Sequence, residues 1–290
     1  MEDAITWILP YLPKRLADVT QYYARQYQLE ELRLCRNAPV SFVSGGRLRY
    51  SGVVCREGDL TQTLDCLCEH SMYSHMQTMA EGYIALPNGM RVGVCGRAVT
   101  EKDRILQICD VTSLHIRFFH SIPNADASIL ARLKRGEYRE SALIYAAPGV
   151  GKTTILRALA QHLARLGTPR RVALVDSRME IATSAIEEAG VAVLRGYPKA
   201  KGIEIAVRSL APDYVLCDEI GNEADTEAIL AQLHAGVALI ATAHGDCLET
   251  LLKRPYFERL HTLHAFDFYY GIWRKETGVY DRITAWNEVV

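Results

Sequence analysis

Ala146-Ala147-Pro148-Gly149-Val150-Gly151-Lys152-Thr153-Thr154 stands between the apolar run Ser141–Tyr145 and the amphipathic run Ile155–Leu166. Together the three segments read as a strand, a phosphate loop and a helix. Glycines at 149 and 151 let the backbone curl tightly and aim successive N–H groups inward at an anion. Lys152 adds a point charge for β- and γ-phosphates. The Thr153 hydroxyl suits Mg²⁺ at the start of a helix whose positive end faces the same anion. The candidate cradle is therefore Ala147, Pro148, Gly149, Val150, Gly151, Lys152, Thr153 and Thr154, and its expected ligand is a nucleoside triphosphate with Mg²⁺. The pattern departs from the full Walker form at its first position, where Ala146 replaces glycine. The four residues that carry the cradle, Gly149, Gly151, Lys152 and Thr153, are intact.

Downstream, Asp213-Tyr214-Val215-Leu216-Cys217-Asp218-Glu219 is an apolar run ending in two adjacent carboxylates. Such a run reads as a buried parallel strand, and the carboxyl ends of those strands are where open α/β sheets hold ligands. Asp218 is the expected Mg²⁺ partner, through water, and Glu219 the group that orients and deprotonates an attacking water. A solvated strand end is the bland alternative for this pair, and the nearby phosphate loop argues against it. Another candidate strand, Arg171–Asp176, intervenes, followed by helix-length sequence and Val191–Leu194. That intervening strand and a Glu directly after the Asp favour a RecA-like ATPase core over a GTPase or a small-molecule kinase. Past a helical stretch at Ala224–Ala235, the strand Val237–Thr242 runs into Ala243-His244-Gly245, which places His244 on the same edge, where it can sense a γ-phosphate by hydrogen bonding.

The first 117 residues differ in character, with short alternating apolar segments around glycines. Glu30–Leu34, Val40–Val43, Arg47–Tyr50, Gly82–Leu86, Arg91–Cys95 and Ser113–Phe118 read as strands, and Asn88-Gly89 signals a two-residue hairpin. Asp59–Met79 reads as a helix with Leu60, Leu64, Leu67 and Cys68 on one face. The expected fold class is thus α/β, a RecA-like P-loop core (residues 127–290) with a smaller N-terminal α+β domain (1–118), joined by a linker at 119–126. The tail, Phe266–Trp273 and Val279–Trp286 around Thr277-Gly278, reads as a β-hairpin packed on the sheet, its aromatics covering core.

Composition fits a soluble enzyme: 290 residues, 49% hydrophobic and 23% charged, can bury a sizeable core. The formal net charge of -1 provides no overall basic field for nucleic acid or anionic lipid. The basic clusters Arg132–Arg139 and Arg165–Arg171 are interleaved with apolar residues and read as solvated helix faces. The eight cysteines include no Cys-x-x-Cys pair, and several sit in apolar runs, as in a reducing cytosol. Met1-Glu2-Asp3 lacks a basic n-region and the apolar stretch after it is broken by Pro10 and Pro13, so neither a signal peptide nor a membrane span is expected.

At Ala80–Gly89, Arg91–Val99 and Ser113–Arg117 the chain resembles the stage III sporulation protein AA family of endospore-forming bacteria. The likeness continues through Pro148–Thr154, Pro198-Lys199-Ala200, Arg208-Ser209 and Asp218-Glu219-Ile220-Gly221 to about Gly245. That family is similar in turn to the hexameric ATPases of type II and type IV secretion and pilus retraction. Their Walker B region and histidine box resemble Asp218–Glu227 and Ala241–His244. Two departures stand out: the family's usual Asp-Glu-Arg is here Asp176-Ser177-Arg178, and a position often charged is Asn222. The first removes an acidic group at 177 and leaves Asp176 and Glu180 as nucleotide-site candidates. The resemblance implies a cytoplasmic ATPase, peripheral at the inner face of the membrane on the mother-cell side. It further implies a homo-oligomer, by likeness a hexamer, that energises membrane-embedded channel proteins facing the forespore. No nucleic-acid partner is expected.

Hydrolysis also calls for an extra cation at the γ-phosphate. Within the nucleotide domain Arg178, Arg195 and Arg208 are the candidates in cis. The resemblance points instead to N-terminal arginines, for which Arg91, Arg97 and Arg117 are the inter-subunit candidates. Two other readings stay open: an assembly scaffold that ATP orders and slow hydrolysis resets, and a RecA-like nucleic-acid remodeller.

Overall fold

The computed structural model describes residues 4–69, 71, 75–86, 90–102, 104–118, 125–233, 235–275 and 278–289. The chain divides into two compact units, Met1–Ser121 and Ile122–Val290. The first contains α1 (Ala4–Ile8), α2 (Lys14–Gln26), β1 (Glu31–Cys35), β2 (Ala38–Ser44), β3 (Arg47–Cys55), α3 (Glu57–Leu67), α4 (Met76–Ala80), β4 (Tyr83–Ala85), β5 (Arg91–Glu101) and β6 (Arg104–Arg117). Its strands form one antiparallel sheet in the order β3-β2-β1-β6-β5-β4. Period-two alternation sends Leu32 and Leu34 of β1 to one face. Register sets Leu32, Ile116 and Val92 side by side across three strands. They pack with Leu16 of α2 and Leu60, Leu64 and Leu67 of α3, each buried leucine contributing about 1.5–3 kcal/mol.

Three expectations for this unit need revision. The helix expected over Asp59–Met79 stops at Leu67, because Cys68 caps it and Glu69 turns left-handed at φ +50°; α4 is a separate short helix. Helix α2 was not anticipated: its buried stripe is narrow and includes Thr20, whose hydroxyl folds back onto the Leu16 carbonyl at 2.7 Å. Strand β5 runs well past Cys95 through residues exposed on both faces, and β6 begins well before Ser113, where over 105–112 Ile108 is buried among exposed and half-buried residues. Strands β4 and β5 pair antiparallel, as a hairpin requires, but Asn88-Gly89 lies outside the described residues.

The second unit contains α5 (Ala127–Arg135), β7 (Ala142–Ala146), α6 (Lys152–Ala164), β8 (Val172–Asp176), α7 (Ser184–Glu188), β9 (Ala192–Arg195), α8 (Lys199–Ile205), β10 (Tyr214–Cys217), α9 (Glu223–Gln232), β11 (Ala238–His244), α10 (Leu248–Leu252), α11 (Pro255–Thr262), β12 (Phe268–Lys275) and β13 (Gly278–Ala285). The sheet order is β13-β12-β7-β11-β10-β8-β9, parallel except for the edge pair β12–β13. Both faces are covered, so the central strands are apolar throughout: β7, β8 and β10 are buried at every residue. Ala142, Ile144 and Ala146 face α5 and α6 (Ile129, Leu133, Ile155, Leu159). Leu143, Tyr145 and Val215 face the other layer, with Ile203, Ile229, Leu251 and Phe257.

This is the α/β architecture expected, with one refinement of the tail. The β12–β13 hairpin does not pack on the sheet; β12 joins it, parallel to β7, so the hairpin extends the layer. Its aromatics do fill core, Phe266, Phe268, Tyr269 and Tyr270 all being buried. The parallel registers bring the carboxyl ends of β7, β11, β10 and β8 to one edge, which is where the candidate residues converge. The strand that stands between the phosphate-loop strand and the Asp-Glu strand in space is β11, the one that ends at His244.

Candidate active site

Between β7 and α6 the chain turns through two left-handed glycines, Gly149 at φ +75° and Gly151 at φ +125°. A Cβ at either would meet nothing within 4 Å, so glycine is required here by backbone conformation rather than by space. Gly151 caps α6, its carbonyl accepting the Ile155 N–H at 3.1 Å. The N–H groups of Ala147, Gly149, Val150 and Gly151 therefore lie at the positive end of a 13-residue helix. Pro148 and Gly149 are exposed, while Ala147, Val150, Gly151, Thr153 and Thr154 are half-buried.

Lys152 is 8% exposed, and burial lowers its pKa, with Glu219 and Asp246 opposing that shift. An ammonium has three donors, and its acceptors are the carbonyls of Ala146 (2.8 Å) and Ala147 (3.1 Å) and Nδ1 of His244 (2.9 Å). Because Nδ1 accepts from the ammonium, the imidazole proton sits on Nε2, which donates to Glu219 Oε1 at 2.6 Å. The second Glu219 oxygen accepts from the Arg178 guanidinium. The start of α6 and the carboxyl ends of β11, β10 and β8 thus deliver one continuous line of polar groups: Lys152, His244, Glu219, Arg178.

Glu219 itself sits in the left-handed region at φ +45°, which costs a non-glycine residue about 1–2 kcal/mol. Its main chain is held on both sides: its N–H donates to Thr242 Oγ1 at 2.7 Å, and its carbonyl accepts from Lys199 Nζ at 2.6 Å. A hydrogen bond to a charged group returns about 1.5–3 kcal/mol, enough to offset the strain. Ile220 N–H donates to the Thr242 carbonyl at 2.8 Å and Gly221 N–H to Asp225 Oδ2 at 3.3 Å.

Asp218 is 4% exposed, and its Oδ1 is buried without a hydrogen-bond partner. Burial pushes its pKa up to about 6; Lys199 pulls the other way, and Asp176 and Glu180 add to the rise. An unpartnered buried carboxylate oxygen one residue from a water-facing glutamate fits a hard cation. Among the described residues, however, no three of His, Cys, Asp and Glu converge as a self-sufficient metal site. That suits Mg²⁺ of the nucleotide-bound kind, which takes one or two protein oxygens and completes its shell with phosphate and water. Thr153 and Asp218 are the residues present to hold it. The adjacent Cys217 thiol is pushed to about 12 by complete burial and is chemically quiet.

The other candidates divide. Asp176 is fully buried, and its oxygens accept the N–H groups of Glu180 (2.9 Å), Ile181 (3.0 Å) and Ala182 (2.8 Å). It shapes the loop after β8. Glu180 is half-buried and close enough to raise the Asp218 pKa. Of the cis arginines, Arg178 donates to Glu219, whereas Arg195 pairs with Glu187 at 3.1 Å and Arg208 with Glu204 at 2.9 Å. Arg91, Arg97 and Arg117 belong to the first unit: Arg91 lies 4.1 Å over the Tyr83 ring, Arg117 is 3.5 Å from Glu31, and Arg97 is exposed on β5. Sequence reasoning missed Lys199, Thr242, Asp225 and Arg157. Arg157, whose pKa burial lowers to about 10, ties α6 to the Glu180 and Ile181 carbonyls.

The family model for sporulation stage III, protein AA, matches residues 3–282. Stage III sporulation protein AA of Bacillus subtilis (strain 168) is 34% identical over 252 residues, covering 83% of this chain and 81% of that protein. Among solved structures, the Legionella pneumophila ATPase DotB aligns with a TM-score of 0.62 at 14% identity, over 94% of this chain and 81% of its own. The pilus retraction motor PilT, solved with bound ADP, gives 0.63 at 13% identity, over 91% and 81%. At those identities the likeness is one of fold alone. With a family model spanning nearly the whole sequence and a third of aligned positions shared with a named relative, this chain belongs to the sporulation stage III protein AA family.

Proposed function

We propose that the protein is a Mg²⁺-dependent ATP hydrolase that acts as an oligomeric motor. The observation that carries this reading is the hydrogen-bonded line Lys152–His244–Glu219, drawn from the start of α6 and the ends of β11 and β10 beside a glycine phosphate loop. Lys152 reaches a phosphate by exchanging one of its present acceptors. His244, neutral with its proton on Nε2, relays that exchange to Glu219, so the base is released as phosphate is gripped. Glu219 then takes a proton from water while the water oxygen bonds to the γ-phosphorus and the β–γ bridging bond breaks, leaving ADP and phosphate. Mg²⁺, held by Thr153 and Asp218, supplies neutralisation of the phosphate charge.

By family membership and likeness of fold, the motor assembles as a homo-oligomer, a hexamer, on the cytoplasmic face of the mother-cell membrane. There it energises a channel toward the forespore, with Arg91, Arg97 or Arg117 of a neighbouring chain completing the nucleotide site. The hydrolytic reading is tested with Glu219→Gln, which keeps shape and hydrogen bonding but removes the base. ATP should bind and persist unhydrolysed, with turnover down about 10²–10⁴-fold. A mutant that keeps more than about half the parent rate moves the base elsewhere, with Glu180 the next candidate.

A further inference from the structure

The segment Pro198-Lys199-Ala200 takes no part in the chemistry described so far, yet its lysine is turned into the site. The Lys199 side chain is 12% exposed, although it stands at the first position of α8. Its ammonium donates to the Glu219 carbonyl at 2.6 Å and lies 3.8 Å from Asp225 Oδ2. The same Asp225 oxygen accepts the Gly221 N–H, and Asp225 is itself fixed by its N–H to the Asn222 side chain at 2.9 Å. Lys199 therefore joins α8 and α9 to the turn after β10.

That turn is the one place where the candidate base adopts a left-handed backbone. Thr242 on β11 fixes the entry to the turn through its hydroxyl and carbonyl, and Asp225 its exit. The Glu219 carbonyl between them is held by the Lys199 cation. Relaxing φ at 219 toward the ordinary region rotates the Cα–Cβ bond, and the carboxylate leaves His244 Nε2 and the phosphate loop with it.

We propose that Lys199 is a positioning residue for hydrolysis: its ammonium pins the main chain of Glu219 in the left-handed turn that aims the carboxylate at the reacting water. The inference rests on the hydrolytic reading above. The contacts of Lys199 are with the Glu219 carbonyl and Asp225 Oδ2, so its loss should act on the chemical step more than on binding.

The experiment measures steady-state ATP turnover, and ATP affinity by calorimetry, for the full chain and for Lys199→Met, Lys199→Gln and Lys199→Arg. The neutral Lys199→Met variant should lose at least tenfold in kcat while its ATP Kd stays within about threefold of the parent. Lys199→Arg, which keeps the charge, should recover part of the loss. A general loss of structure would lower affinity and kcat together and would not be relieved by arginine. If Lys199→Met does not fold, Lys199→Gln replaces it. Any folded neutral variant with kcat within twofold of an active parent overturns the proposal and leaves the hydrolytic reading standing. A parent without turnover removes the hydrolytic reading itself.

Discussion

Asp218 carries a cost that the fold should recover when its charge is removed. Burial raises its pKa from 3.8 to about 6, which corresponds to about 3 kcal/mol between the two protonation states. Because the folded pKa is the higher one, the folded state holds the proton more tightly. The resulting stabilisation is complete below about pH 4 and is lost as pH climbs through about 6. At pH 8 the ionised carboxylate is a buried charge whose Oδ1 has no hydrogen-bond partner. Asp218→Asn keeps the shape and removes that charge, so it should stabilise the protein by up to about 3 kcal/mol at pH 8 and by almost nothing near pH 4. For a unit of this size each kcal/mol moves the melting temperature by about 2–4 °C, giving a rise of about 6–12 °C. The assay is thermal unfolding followed by circular dichroism, in EDTA and without nucleotide, at several pH values from 4 to 8. The parent should also gain stability from Mg²⁺ with ATP, and the mutant should gain far less. A mutant no more stable than the parent at pH 8, or stabilised equally at pH 4 and pH 8, would refute the reasoning.

Lys152→Ala should abolish tight ATP binding, since the cradle loses its side-chain cation; equal affinity of mutant and parent in calorimetry would remove this loop from the site. Gly151→Ala, at φ +125° with open space around the new Cβ, should cost about 1–2 kcal/mol through backbone strain alone, read as a fall in melting temperature. If a neighbouring chain completes the site, turnover per chain should rise with protein concentration, and mixing Lys152→Ala with an alanine variant of Arg91, Arg97 or Arg117 should leave only some interfaces active. Constant turnover across the range where the oligomer dissociates, with all three arginine variants unimpaired, would end the shared-site idea.

What the sequence revealed follows the distance over which each feature is encoded. The phosphate loop and the Asp218-Glu219 strand end are contiguous motifs, and the apolar runs around them specify buried parallel strands without help from elsewhere. The supports of the base are not contiguous. Asp225 is local, four residues past Gly221, but Thr242 reaches Glu219 because the sheet order sets β11 beside β10, and Lys199 arrives from α8. Asp176 has a role not legible in sequence: its carboxylate accepts three backbone N–H groups and staples the loop after β8. In the first unit α2 was hidden by a narrow buried stripe, Leu16 and Thr20, and the outer part of β5 by exposure on both faces, which erases alternation. The β12–β13 hairpin was legible as a hairpin, but which edge it would join depends on β7, more than a hundred residues earlier.

The central claim is hydrolysis, and steady-state release of phosphate from ATP by the full chain tests it most directly, with Mg²⁺ or EDTA, with and without nucleic acid, beside Glu219→Gln. The account predicts turnover that needs Mg²⁺, is indifferent to nucleic acid and is lost in Glu219→Gln while ATP stays bound. Phosphate release that appears only with nucleic acid, or that is equal in parent and Glu219→Gln, would contradict it.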